Sequence, residues 1–256
     1  LPGFFPGDNG RVILLFGTNN PTALDNYDLS TAVSNTSMIL WNGPAGGGEL
    51  SRENLSGIGD INGDGYDDMA MVASEASPGG RIRAGSVYVV FGNASRATLA
   101  SVDLAALNGT NGFRLDGGSS GSSSTMQLQA SRAGDINGDG IDDILIGDPG
   151  YTNAQGAGRA YIIFGSRQGF SALNGINLNT QVNGASDLNG DGKPDGIKIS
   201  GASSFGRSID GAGDVNGDGF DDITVGAFQQ SLLGSFVSPG AGYILYGGDF
   251  RAEMTT

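Results

Sequence analysis

Histidine and cysteine are both missing from this 256-residue chain, and glutamate occurs only at Glu49, Glu53, Glu75 and Glu253. Without imidazole or thiol, the Ser-His and Cys-His arrangements that activate a nucleophile cannot be built. A disulfide framework is excluded as well, and soft metals lose their preferred ligands. A carboxylate pair of the glycosidase kind remains conceivable, but most clustered aspartates have another assignment, given below. The expectation is a protein that is not an enzyme. No run approaches the roughly 18 apolar residues of a membrane-spanning helix. Basic residues are also scarce: 13 Lys and Arg stand against 27 Asp and Glu, a net charge of -14. Such a surface repels nucleic acid and anionic membranes, and Arg81-Ile82-Arg83 is too short to act as a basic patch.

What the chain has in quantity is glycine, 47 residues, beside 38% hydrophobic residues. That balance suits one sizeable core of many short strands joined by tight turns. The most informative stretch is Asp214-Val215-Asn216-Gly217-Asp218-Gly219-Phe220-Asp221-Asp222, followed by the apolar, β-branched Ile223-Thr224-Val225-Gly226. Its first, third, fifth and ninth places, Asp214, Asn216, Asp218 and Asp222, crowd hard oxygens whose repulsion a hard cation would relieve. Gly219 in the sixth place permits the positive φ that folds a loop back around an ion, and the Phe220 carbonyl would add a ligand. The twelfth place is Val225, not the bidentate Glu of an EF-hand. A short apolar run bounded by Gly reads as a buried strand rather than an exiting helix.

The same nonapeptide occurs three more times, with candidate ligands Asp60, Asn62, Asp64, Tyr66 and Asp68; Asp135, Asn137, Asp139, Ile141 and Asp143; and Asp187, Asn189, Asp191, Lys193 and Asp195. Tyr66, Ile141 and Lys193, like Phe220, would contribute backbone carbonyls. Solvated acids on ordinary Asn-Gly and Asp-Gly turns are the bland alternative, and four positional repeats weigh against it. Three carboxylates with neutral oxygens favour Ca2+ over Mg2+, so about four Ca2+ ions are expected, offsetting eight of the negative charges. Asp67, Asp142 and Asp221, in the eighth place, read as solvated or as supporting the ligands. Ca2+ modules with dissociation constants of roughly 0.1–1 mM belong outside cells, which points to a secreted or cell-surface location. The start at Leu1 and the lack of a signal-peptide pattern suggest a processed or excised segment.

A second repeat runs through the chain. Strands ending in an aromatic-Gly pair recur at Phe16-Gly17, Phe91-Gly92, Phe164-Gly165 and Tyr246-Gly247, with the aromatics 75, 73 and 82 residues apart. Within each period come an outgoing strand (Ser37–Trp41, Phe113–Leu115, Ile197–Ile199), a Gly/Ser loop, a strand entering the acidic loop, the apolar strand after it, and the aromatic-Gly strand. Four strands per period is the unit of a β-propeller blade. The loop over 117–124 reads as a mobile surface loop. The 82-residue period exceeds its predecessor by nine residues, the length of the motif Asp187–Asp195, so that copy reads as an insertion whose Ca2+ site is eccentric to the others.

Phe205-Gly206-Arg207-Ser208-Ile209-Asp210-Gly211-Ala212-Gly213 through Asp222, then Gly226-Ala227, resembles the FG-GAP repeat of integrin α-subunit β-propellers. Phe228 stands where that pattern has Pro, Asp148-Pro149 and Ala73-Ser74 replace Ala-Pro, and Glu53-Asn54-Leu55-Ser56 precedes the first acidic loop without Phe-Gly. The resemblance spans about residues 36 to 248 and implies a calcium-binding β-propeller used in adhesion or protein-protein interaction. The expected fold is all-β: one propeller segment over 1–256 with three full four-stranded blades plus an N-terminal strand. Its parts are a terminal strand in 1–17 and blades over 36–92, 113–165 and 187–248, the last holding the inserted loop. Three repeats and a leading strand fall short of the four to eight blades of a propeller, so self-association or a longer chain is expected. The rival functions are a lectin-like propeller, with Trp41 as its stacking platform, and a calcium-dependent polysaccharide-active enzyme or accessory domain.

Overall fold

The computed structural model describes residues 9–17, 38–45, 48–50, 54–118, 128–150, 158–189, 192–201, 204–228 and 240–249. β1 (Arg11–Leu15) and β2 (Met38–Asn42) form an antiparallel pair, the first sheet. β3 (Leu55–Gly59), β4 (Asp68–Ala73), β5 (Ser86–Val90) and β6 (Gly112–Asp116) form the second as an antiparallel meander. β7 (Gln129–Gly134), β8 (Asp143–Asp148) and β9 (Arg159–Ile163) begin the third. The two-residue β10 (Ile176–Asn177) then crosses back to lie parallel to β6, before β11 (Gly196–Ser200) completes the third sheet beside β9. β12 (Phe205–Gly213), β13 (Asp222–Ala227) and β14 (Ala241–Leu245) make a three-stranded fourth sheet. Two short helices, α1 (Arg96–Ala100) and α2 (Leu178–Gln181), lie in the connections. β1, β5, β8, β9 and β13 occur where β-branched and aromatic residues cluster, whereas β3 and β7, which lead into acidic loops, are rich in small residues.

The all-β architecture of FG-GAP-type blades is therefore present, but strand pairing is offset from the expected blade boundaries. The outgoing strands were assigned to the start of blades 36–92, 113–165 and 187–248. Instead β6, with Phe113–Leu115, pairs with β5 of the preceding sheet, and β11, with Ile197–Ile199, pairs with β9. Likewise β2, with Trp41, pairs with β1, so the strand in 1–17 has a partner of its own. The sheets run from β3 to β6 with β10 added beside β6, from β7 to β9 with β11, and from β12 to β14. A repeat period sets the spacing of strands but not the phase at which one sheet ends, and the antiparallel partner of an aromatic-Gly strand is the outgoing strand that follows it. The expected mobile loop over 119–124 and the start of the first expected blade at residues 36 and 37 lie outside the described residues.

Sheets stack face to face, which explains why the strands read as nearly continuous apolar runs. On β4 and β5, Ala70, Val72, Val87 and Val89 join the core shared with the third sheet, while Met71, Ala73, Tyr88 and Val90 face the core shared with the first. On β9, Tyr161 and Ile163 face the second sheet and Ala160 and Ile162 the fourth. Tyr88, Phe91, Tyr161 and Phe164 are all buried, as blade packing requires. The fourth sheet is apolar on one face only: Ile223 and Val225 are buried, whereas Ile244 is 54% exposed. β7 lies between β3 and β12, and the acidic loops that begin where these three strands end are thereby brought side by side.

Candidate functional site

Three acidic loops link β3 to β4, β7 to β8 and β12 to β13, and their internal geometry is the same. In the first, Asp60 accepts from the N–H groups of Asp64 at 3.0 Å and Gly65 at 2.8 Å. Asn62 Oδ1 accepts from Asp64 N–H at 2.8 Å, and Asp64 Oδ1 from Tyr66 N–H at 3.0 Å. Asp135, Asn137 and Asp139 repeat these bonds in the second loop, and Asp214, Asn216 and Asp218 in the third. The sixth-place glycines Gly65, Gly140 and Gly219 have φ of +92°, +81° and +93°, the left-handed geometry that favours glycine.

The ninth-place aspartates do something the sequence pattern did not announce. Asp68, Asp143 and Asp222 are buried, and each joins its own loop to the aromatic-Gly strand. Asp68 Oδ2 accepts from Ile61 N–H and Oδ1 from Gly92 N–H, at 3.0 and 2.7 Å. Asp143 does the same with Ile136 and Gly165, and Asp222 with Val215 and Gly247. Burial pushes the Asp68 carboxyl up to about 7 against the pull of its two N–H donors. It drives Asp143 well above the carboxylate range. Asp214, at the surface, is held below that range, chiefly by the Gly219 N–H.

The aromatic-Gly pair now has a steric reason. A Cβ on Gly165 would lie 2.3 Å from the Asp142 carbonyl oxygen and 2.9 Å from that of Ile61. On Gly247 it would lie 2.3 Å from the Asp221 oxygen and 2.7 Å from that of Ile136. The strand end passes between its own acidic loop and that of the preceding sheet, where no side chain fits.

Eighth-place aspartates, read above as solvated or supporting, join adjacent sheets at two of the three loops. Asp142 Oδ2 accepts from Asp60 N–H at 3.0 Å, and Asp221 Oδ2 from Asp135 N–H at 2.9 Å. Arg132 grips the other Asp142 oxygen from Nη2 at 2.7 Å. Glycines precede the loops to make room: a Cβ on Gly59 would sit 2.0 Å from Asp142 Oδ2, and one on Gly134 2.1 Å from Asp221 Oδ2. A signal existed in the sequence, since the loops that carry both latches have Asp in the eighth place, as the first loop does, and the inserted copy carries Pro194.

That inserted copy lies between α2 and β11. Gly192 N–H donates to Asp187 at 3.0 Å, Leu188 N–H donates to Asp195, and Asp195 is buried. Asn189, Lys193 and Asp195 share a cavity of about 140 Å³ with Asn137, Asp139 and Arg167, so the loop faces the second acidic loop. Asp191 lies outside the described residues.

The donors suit a hard cation: every candidate side-chain ligand is a carboxylate or amide oxygen, and each ionised carboxylate offers about four lone-pair sites. Loop N–H bonds fill only some of them. Among the described residues no three acidic groups converge in metal-binding geometry; the oxygens of the first, third and fifth places turn onto loop N–H groups instead. Trp41 is no sugar platform: it is buried, and its Nε1–H donates to the Leu99 carbonyl at 3.1 Å.

Residues 56–90, 129–163 and 205–245 match the family model for the FG-GAP repeat. The chain carries three FG-GAP repeats. Each match takes in the first three strands of one sheet and its acidic loop, so the FG-GAP unit coincides with the geometry above. The chain is also similar to phosphatidylinositol-glycan-specific phospholipase D of Bos taurus, 31% identical over 149 residues, and of Homo sapiens, 30% identical over 149 residues. These matches cover 53% of this chain and 17% of either relative. Among the described residues no helix is long and apolar enough to cross a membrane.

Proposed function

We propose that this chain is a calcium-binding, non-catalytic FG-GAP module that acts outside the cell or at its surface in adhesion, protein interaction or assembly. The carrying observation is positional: three FG-GAP loops present oxygen donors at the same four places, on the same backbone, with a buried aspartate at the ninth. Asp60, Asn62, Asp64 and Asp68 would hold one ion, with the Tyr66 carbonyl as a further ligand. Asp135, Asn137, Asp139, Asp143 and Ile141 would hold the second, and Asp214, Asn216, Asp218, Asp222 and Phe220 the third. Asp187, Asn189, Asp191, Lys193 and Asp195 are the proposed fourth set. A bound Ca2+ supplies positive charge at the mouth of each loop. The chain's own groups fix loop shape through the Asx-type bonds and tie each loop to its sheet through the ninth-place carboxylate.

The relatives' phospholipase name belongs to chains of which this match covers 17%, and the lack of His and Cys supports a binding rather than a catalytic role. Isothermal calorimetry with Ca2+ tests the reading. Binding of about four ions, with Asp214→Asn removing one, is the expected result; absence of binding in the millimolar range sinks it.

A further inference from the structure

We propose that Asn62, in the third place of the first acidic loop, is a modification site: its side-chain amide is converted to aspartate or isoaspartate by attack of the Gly63 nitrogen, assisted by Arg167. Asparagine is thermolabile, and a following glycine leaves the attacking nitrogen unshielded by any side chain. The Gly63 nitrogen bonds to the Asn62 Cγ, closing a five-membered imide; the Cγ–Nδ2 bond breaks, and ammonia leaves with the proton that the glycine nitrogen gives up. Water then opens the ring at either carbonyl, giving aspartate or the backbone-lengthened isoaspartate. No oxidant, reductant or cofactor enters the balance.

The chain has ten Asn-Gly steps, and their hydrogen bonds set them apart. A glycine N–H that donates to an oxygen must give up that bond before its nitrogen can attack. The glycines after Asn42, Asn108, Asn174 and Asn183 each donate to a backbone carbonyl. Gly217, after Asn216, donates to Asp214 Oδ1 at 2.7 Å. In the first and second loops, the Gly63 and Gly138 N–H groups have no acceptor among the described residues. What faces those two glycines differs. Ser166 N–H donates to the Ile61 carbonyl at 2.9 Å, which sets the next residue over the first loop: a Cβ on Gly63 would lie 2.7 Å from Arg167 Nε. Gly248 docks on Ile136 in the same way, but the residue after it is Asp249. Gly138 instead meets the Phe220 ring, 2.5 Å from its own would-be Cβ, and Asn137 is buried away from the water that hydrolysis needs. A guanidinium beside the Gly63 nitrogen stabilises the negative charge that builds there as its proton leaves. Asn62 Oδ1 accepts from Asp64 N–H at 2.8 Å, which draws electron density away from the Cγ under attack.

The product alters the loop. Aspartate in the third place adds a carboxylate to the donor set, and ligand charge tunes the affinity of an oxygen site for Ca2+. Isoaspartate inserts a methylene into the backbone and withdraws the oxygen from its place. A fresh and an aged chain therefore present different first loops. That consequence for Ca2+ rests on the calcium-binding reading; the modification itself does not.

The test warms the full chain in mildly alkaline buffer with chelator and follows the peptides containing Asn62 and Asn216 by mass spectrometry, with isoaspartate methyltransferase marking the isoaspartate. Asn216 is the more exposed of the two, so exposure alone would make it convert first. Conversion of Asn62 about fivefold faster or more is expected. Arg167→Gln should cut the ratio of the Asn62 rate to the Asn216 rate about threefold or more, and Arg167→Lys, which keeps the charge, should retain most of it. Asn216 is the reference within the same molecule, so a general loosening of the fold does not imitate this result. Equal rates, a faster Asn216, or a ratio unchanged by Arg167→Gln overturns the proposal. Excess Ca2+ should slow Asn62 as its Oδ1 turns to the ion; if the chain binds no calcium, the lead of Asn62 over Asn216 persists in chelator, so the two readings fail separately.

Discussion

Asp135 and Asp221 lie 86 positions apart, yet the Asp135 N–H donates to Asp221 Oδ2 at 2.9 Å. Together with the Asp60–Asp142 pair, this makes the acidic loops a row in which the first and second loops are each held by the sheet that follows. The first prediction concerns that row. Asp142→Ala should lower stability by about 1–2 kcal/mol, the worth of a charge-assisted hydrogen bond at a partly exposed site, and Asp221→Ala by a similar amount. Asp67→Ala should fall within about 0.5 kcal/mol of the parent, as expected for an exposed residue away from such features. Urea midpoints of the three variants, measured side by side, check the contrast.

Chelation is expected to lower the melting temperature. At free Ca2+ of one to ten times the dissociation constant, a site stabilises the folded state by about 0.4–1.4 kcal/mol, so four give about 2–6 kcal/mol. Scanning calorimetry in excess calcium and in chelator makes the comparison, and a melt indifferent to chelator contradicts the ion-binding reading.

The ion-free protein should respond to pH through Asp68. Its folded-state carboxyl sits near 7, above the ordinary 3.8, because burial disfavours the charge. Between those values the folded state holds a proton that the unfolded chain releases, so this group favours folding at low pH and loses that contribution as pH rises toward 7. In chelator, the urea midpoint should be higher at pH 5.5 than at pH 7.5, and Asp68→Asn should flatten the difference. Asp214, shifted downward, contributes with the opposite sign and only near its own lower range.

Gly165→Ala should be among the most damaging single changes in the chain. Its Cβ would meet the Asp142 carbonyl at 2.3 Å and the Ile141 Cγ2 at 2.5 Å, with backbone on two sides. A loss of about 2–4 kcal/mol is expected, in the overpacking range or above. Gly140→Ala meets no atom within 4 Å and carries only the penalty of φ +81°, about 1 kcal/mol. Denaturant melts of the pair separate crowding from backbone strain.

Much of this architecture was legible in the residues. The repeated nonapeptide and the aromatic-Gly endings located the loops and strands because both demand particular residues, glycine for positive φ or close approach and β-branched residues for two buried faces. The phase of the sheets was not legible: nothing in Phe113-Arg114-Leu115 says which neighbour it will pair with. Nor was the division of labour between adjacent aspartates. Asp142 and Asp143 are chemically identical, and only the pleat that turns Asp143 inward and Asp142 toward the neighbouring sheet separates a buried clasp from a latch. The Pro at position 194, in a loop that joins no two sheets, was the one local trace of that difference.

The short β10 strand has a consequence for how the molecule comes apart. Repeat arrays whose units touch only their neighbours can lose one unit at a time. Here Ile176 and Asn177, threaded between the third and fourth strands of one sheet, hydrogen-bond along β6 of the sheet before it. Neither sheet can peel away without dismantling part of the other, so the second and third sheets are interlocked and should melt as a single cooperative block.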